Sequence, residues 1–178
     1  TGILKNIVVI YRPHPWGGGG YNGKEIIKVK WKHIKIDIDM IKYLKNISNG
    51  EETKYLSSYS HTHDLLSNVD CVISPLSTII LESLMHGKPV LCFTPKEKQA
   101  KHLNIERDLI HFREIYKNEK ILKAFDNNQL IEKIPDLAHK SSDKYFKKEL
   151  IKFSEFFVQK FDKQYKFRLN DLVSTLIK

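Results

Sequence analysis

Cysteine is nearly absent from this sequence: its 178 residues include 2, Cys71 and Cys92. Two cysteines cannot build the cross-linked framework of a small secreted domain. Both stand in short apolar runs that read as buried strands, so they are expected to be small core residues in a reducing compartment. Arginine is scarce too, with 4 against 26 lysines. The net charge of +9 is therefore carried by lysine, and it divides into +4 through residue 100 and +5 beyond it. There is no basic arm, tail or recognisable nucleic-acid module. The charge reads as a solvated face, and no nucleic-acid partner is expected. No apolar run approaches the roughly 18 residues that cross a bilayer as a helix. No signal-peptide pattern stands at the start.

Several motifs of familiar chemistry are missing as well. Gly17–Gly20 is not a dinucleotide fingerprint, because that motif opens directly into a helix and Tyr21-Asn22-Gly23 follows here. It reads as a mobile loop. His61, His63 and Asp64 lack third and fourth partners at metal spacing, so no metal is expected. No nucleophile elbow or Ser-His-Asp order appears. His33, His86, His102, His111 and His139 have no motif context and are expected at the surface or at helix ends.

What is present is a globular composition, 41% apolar with a mean hydropathy of −0.40. The length suits one domain with a helical appendage. Asn6–Tyr11 is a continuous apolar run, as in a strand buried on both faces of a parallel sheet. It breaks at Arg12-Pro13-His14-Pro15, where the prolines hold His14 in an extended turn. A second strand is expected near Ile34–Ile38. A short helix, His61–Asn68, precedes a strand–helix–strand unit: Val69–Ser74, Ser77–His86 and Lys88–Phe93. Gly87 ends its helix as a C′ residue. Beyond residue 100 the pattern turns mainly helical, with helices expected over Asn128–Lys140, Asp143–Lys163 and Arg168–Lys178. Tyr145, Leu150, Phe153, Phe156 and Phe157 are available for a packed stripe on the second. The fold class is α/β, a Rossmann-like parallel sheet flanked by helices, with C-terminal helices.

The chemistry should sit at the carboxyl ends of strands, where open α/β sheets bind ligands. Ser74, Ser77 and Thr78 cluster at a helix N-terminus, whose free N–H groups and partial positive charge suit an anion. The same residue types also serve as plain N-caps. Glu82 follows Thr78 by four residues on the same helix face, where it could accept hydrogen bonds from ribose hydroxyls or simply face solvent. Arg12 and His14 follow a different strand. Side by side, the two loops would set a guanidinium, an imidazole and a helix N-terminus around one diphosphate.

These segments, RPHP after the first strand and NVDCVISPLSTIILESLMHGKPVL, resemble the C-terminal, donor-nucleotide-binding half of a GT-B glycosyltransferase of bacterial surface or capsular polysaccharide synthesis. The His-Pro and Ser-Thr pairs are similar to those of sialyltransferase-like and Kdo-transferase-like enzymes. The likeness covers about residues 6–94 and the tail, 155–177. It implies that His14-Pro15 and Ser77-Thr78 contact the nucleotide, with Glu82 on the helix beneath it; the reading of the two loops adds Arg12 and Ser74 to the nucleotide site, with His14 as the catalytic residue. The likeness implies a nucleotide-sugar donor as substrate, no cofactor and no metal. A polysaccharide or glycolipid acceptor would be held by an N-terminal domain that this chain lacks, so the chain alone should bind donor without turnover. It begins at Thr1 almost directly into a strand, and is expected to be half of an enzyme. The division expected is a nucleotide-sugar-binding domain over 1–140 and C-terminal helices over 141–178 that pack on it or cross to the missing domain. A cytoplasmic location follows, at the inner face of the membrane through peripheral contact with anionic lipid. One departure is the Ser-Pro-Leu-Ser-Thr run, where CDP-glycerol-using relatives carry an Asp-Tyr-Ser-Ser type run. Two alternatives stay open: a domain of a UDP-N-acetylglucosamine 2-epimerase-like isomerase, and a non-catalytic interaction module of a polysaccharide assembly complex.

Overall fold

The computed structural model describes residues 7–12, 32–41, 58–95, 109–158 and 164–176. Along the chain run β1 (Val9–Tyr11), β2 (Ile34–Ile36), α1 (Tyr59–Asn68), β3 (Val72–Ser74), α2 (Thr78–Met85) and β4 (Val90–Phe93). A 3₁₀ turn (Ile110–Phe112), α3 (Arg113–Lys117), β5 (Leu122–Ala124), α4 (Asn127–Ser142), α5 (Lys144–Ser154) and α6 (Tyr165–Leu176) follow. All the strand pairs described are parallel, so the protein is α/β and Rossmann-like. It divides into two compact units, Thr1–Leu65 and Leu66–Lys178, each with its own sheet.

In the first unit β1 pairs with β2, Val9 opposite Ile34 and Tyr11 opposite Ile36. The expected burial of the first strand on both faces is not found: Val8, Val9 and Ile10 are 62%, 44% and 42% exposed. An apolar run identifies a strand but does not say what covers it, and in this two-stranded sheet the run stays wet. Asp37 closes β2. Its N–H donates to the Tyr11 carbonyl, continuing the ladder, and its carbonyl accepts from Met40 N–H as the helical turn 38–41 begins. Asp37 Oδ1 also accepts from Asp39 N–H at 3.2 Å. These are the local bonds that make Asp a turn and cap residue.

In the second unit β4 lies between β3 and β5. Alternation along β4 explains its layers, because successive side chains point to opposite faces. Val90 and Cys92 join Ile80 and Leu84 of α2, Ile115 of α3 and Leu150 of α5 in one core. Leu91 points the other way, onto Ala124 of β5 and Leu137 of α4. The sheet thus carries helices on both faces, and Val90, Leu91 and Cys92 are fully buried.

Gly87 shows why α2 stops where it does. It has φ +63°, and Gly87 N–H donates to the Leu84 carbonyl while Lys88 N–H donates to that of Ser83, both at 2.9 Å. This 5→2 and 6→1 pair is the Schellman closure. A Cβ at Gly87 would also lie 3.1 Å from the Lys147 carbonyl oxygen and 3.2 Å from Ile151 Cδ1. The glycine therefore lets α5 approach the end of α2.

Three sequence expectations need correction here. The described region beyond residue 100 is mainly helical as expected, but it holds a strand that was not, β5, whose Ala124 is buried with Leu122 packed beside it. The helix expected to reach Lys163 ends at Ser154. There the Ser154 hydroxyl turns back on the Ile151 carbonyl, and the Phe156 and Phe157 N–H groups bond three residues back. Tyr145 and Phe156, expected in a packed stripe, are 72% and 73% exposed. The stripe that packs is Phe146, Leu150, Phe153 and Phe157, at helical intervals of four, three and four that leave Tyr145 and Phe156 one position off. Aspartates start both long helices: Asp126 accepts from Gln129 N–H, and Asp143 from Tyr145 and Phe146 N–H.

Candidate functional site

In the second unit β3 hands its last residue, Ser74, to a tight bend that opens into α2. Ser74 is buried, and its Oγ lies 3.0 Å from Ser77 Oγ. Ser77 is the N-cap of α2, with extended backbone (φ −157°, ψ 167°), yet its side chain makes no capping hydrogen bond. Its carbonyl accepts from Ile80 N–H. The hydroxyl that would close the helix start is thus turned toward Ser74, and the first-turn N–H groups gain no acceptor from it. Thr78 is exposed on that first turn. Glu82 is half-buried one turn later and has a polar partner of its own. The structure therefore brings Ser74, Ser77 and Thr78 together at the carboxyl end of β3. Hydroxyls beside a helix N-terminus can donate to an anion that the helix dipole also attracts.

In the first unit the residues after both strands meet. Arg12, directly beyond β1, sets Nε 3.4 Å from Asp37 Oδ2 and donates from its terminal nitrogen to Thr62 Oγ1 at 3.0 Å. The Asp37 side chain is 1% exposed. Its Oδ1 lies 2.7 Å from Nε2 of His61, a residue in the first turn of α1. His61 Nδ1 approaches Asp39 Oδ2 at 3.4 Å. Ser58 fixes the backbone there, its Oγ accepting from His61 N–H. Arg12 was singled out in the sequence, whereas Asp37 was not and His61 was set aside with the metal reading. No sequence signal marked Asp37, which fell inside the strand expected near Ile34–Ile38, whereas in the structure it stands directly after β2.

His14, the expected catalytic residue, lies outside the described residues. Among those described, no group of His, Cys, Asp and Glu is arranged to hold a metal ion, and no helix is long and apolar enough to cross a membrane. Cys92 lies in the core, where burial pushes its thiol up to about 11. Burial, then the nearby Asp70 charge, raise Cys71 as well. Partial burial lowers the Lys88 ammonium, Lys147 adds repulsion, and Asp70 opposes both. Lys88 Nζ donates to the Ser67 carbonyl at 3.1 Å. An open groove of about 400 Å³ lies between Phe153, Phe156, Lys120 and Glu149, and none of the expected site residues lines it. Set against known proteins, the chain matches no family model, no curated protein and no solved structure.

Proposed function

We propose that this chain is the donor-nucleotide-binding part of a glycosyltransferase that moves a sugar from a nucleotide-sugar to a polysaccharide or glycolipid acceptor. One observation carries the reading: the Ser74 and Ser77 hydroxyls pair at the carboxyl end of a parallel strand, with Thr78 the next residue, beside a helix start that its own N-cap side chain leaves uncapped. In this reading the donor phosphates take hydrogen bonds from Ser77, Thr78 and the first-turn N–H groups of α2. Ser74 holds the Ser77 hydroxyl in place, and Glu82 accepts from ribose hydroxyls. Arg12 is already committed to Asp37, so the weight of the proposal falls on the residues of the second unit. The acceptor is held by a further domain, and the enzyme works in the cytoplasm at the inner face of the membrane without a metal.

Calorimetric titration of UDP, CDP and CMP tests the reading. Binding of at least one at millimolar levels or tighter is expected, and binding by none refutes it. Ser77→Asp separates binding from folding. Aspartate caps a helix as well as serine and complements its dipole, so stability should hold or rise. The added carboxylate repels phosphate, so nucleotide affinity should fall at least tenfold. Unchanged affinity in Ser77→Asp would remove the phosphates from this helix.

A further inference from the structure

Helix α6 carries an apolar face that the core of the second unit does not use. α4 and α5 bury Leu137 and Leu150 against the sheet, whereas no described side chain of α6 is buried. Leu169, Leu172, Val173 and Leu176 are 44%, 55%, 44% and 76% exposed. Their spacing of three, one and three residues sets them on one face of the helix. Asn170, Asp171, Ser174 and Thr175 take the opposite side, where the Thr175 hydroxyl donates to the Leu172 carbonyl at 2.7 Å. Lys166 precedes Leu169 by three and Val173 by seven, and Arg168 precedes Leu172 by four. The two cations therefore stand at opposite margins of the apolar face. Phe167 lies off it, with the Lys166 ammonium 4.8 Å from its ring.

The chemistry of this face narrows what can cover it. It holds only leucine and valine, with no donor or acceptor to read a patterned partner. Residues 160–178 carry 5 basic residues against 2 aspartates, a net +3. A second copy would set +3 against +3, and the +9 of the whole chain adds to that repulsion. An anionic lipid surface offers the opposite, negative headgroups for the cations and acyl chains for the leucines. The helix has 12 residues, about 18 Å at about 1.5 Å each. That is too short to cross a hydrocarbon core of about 30 Å, and it suits a helix that lies in the interface.

We propose that α6 is an interfacial helix that binds anionic membrane. Leu169, Leu172, Val173 and Leu176 enter the boundary between headgroups and acyl chains, while Lys166 and Arg168 reach back to the headgroups. The proposal gives the inner-face location an element of the fold, and it rests on the glycosyltransferase reading for that setting alone. The binding step needs no nucleotide.

Sedimentation of the full chain with vesicles tests it. Vesicles of phosphatidylcholine and phosphatidylglycerol in equal parts should bind the chain at least tenfold more tightly than pure phosphatidylcholine, and added salt should shrink the difference. Leu169→Ser/Leu172→Ser keeps every charge and should lower binding to the anionic vesicles at least tenfold. Neither leucine is buried, so the urea midpoint of this variant should match the wild type. Lys166→Glu/Arg168→Glu should weaken binding to anionic vesicles and leave neutral ones unchanged. No binding to anionic vesicles overturns the proposal. So does wild-type binding by the serine variant, which would assign the contact to lysines elsewhere. A lipid-free dimer in analytical ultracentrifugation that the serine variant abolishes overturns it too, because the face then belongs to a second copy. Nucleotide binding by a chain that ignores vesicles overturns this proposal alone. Vesicle binding by a chain that takes no nucleotide overturns the glycosyltransferase reading and leaves α6 as a lipid-binding helix.

Discussion

Replacing Gly87 with alanine should destabilise the protein by about 2–5 kcal/mol, and the figure is built from two independent costs. The first is conformational. Gly87 has φ +63°, and a left-handed backbone costs an L-residue with a Cβ about 1–2 kcal/mol. The second is steric. The new methyl would lie 3.1 Å from the Lys147 carbonyl oxygen and 3.2 Å from Ile151 Cδ1. Ile151 can turn its side chain, but Lys147 offers only backbone, and shifting it disturbs α5 beside fully buried Leu150. Overpacking of this kind costs about 1–3 kcal/mol. Urea unfolding followed by circular dichroism measures the sum. With a slope of roughly 2 kcal/mol/M, the midpoint should fall by about 1–2.5 M. Gly87→Asn separates the costs, because asparagine tolerates the left-handed region better and brings the same Cβ. Asparagine should lose less than alanine, by up to the conformational cost. A loss below about 0.5 kcal/mol in Gly87→Ala, within the range of neutral surface changes, would refute both the Schellman closure and the close approach of α5.

Three more outcomes follow from the same geometry. Pro135 lies inside α4 and can donate no helical hydrogen bond; Pro135→Ala should stabilise by about 1–3 kcal/mol in thermal or urea unfolding, and no gain would mean the helix is already adapted to it. Asp143 accepts from two first-turn N–H groups of α5, at 2.8 and 3.0 Å, so Asp143→Ala should cost about 1–2 kcal/mol, and Asp143→Asn clearly less. The Cys92 thiol ordinarily ionises near 9 and is pushed up to about 11 in the core. The folded state therefore prefers the neutral thiol. Its contribution is complete below pH 9 and drains away as the pH rises to 11, by about 2–3 kcal/mol. Unfolding curves of Cys92→Ala should lack that part of the alkaline decline, and a parallel decline in both proteins would contradict it.

The strand–helix–strand unit from Val72 to Phe93 was legible because its signals are local. An apolar run, a serine at the helix start and a glycine just past its end each act within a few residues. β5 was not legible. It has three residues, Leu122–Ala124, too few to show alternation, and its place is set by contacts with β4 and α4 rather than by its own pattern. The candidate site divides in the same way. Ser74, Ser77 and Thr78 lie within five positions and were found together. Arg12, Asp37 and His61 stand about 25 residues apart in sequence, and only parallel pairing of β1 with β2 places Asp37 beside Arg12. Ser77 also shows that residue type does not fix role. It occupies the N-cap, but its hydroxyl pairs with Ser74.

The half-exposed aliphatic row of β1 has a consequence for how this protein behaves in bulk. Val8, Val9 and Ile10 show apolar side chains to water, a surface that favours association between copies. The net charge of +9 opposes such encounters, because two copies repel before their strands can meet. That repulsion reaches about 30 Å at 0.01 M salt but only about 8 Å at 0.15 M. Solubility is therefore an ionic-strength property here: added salt removes the lysine repulsion and leaves the sticky strand, so concentrated stocks should keep best in dilute buffer.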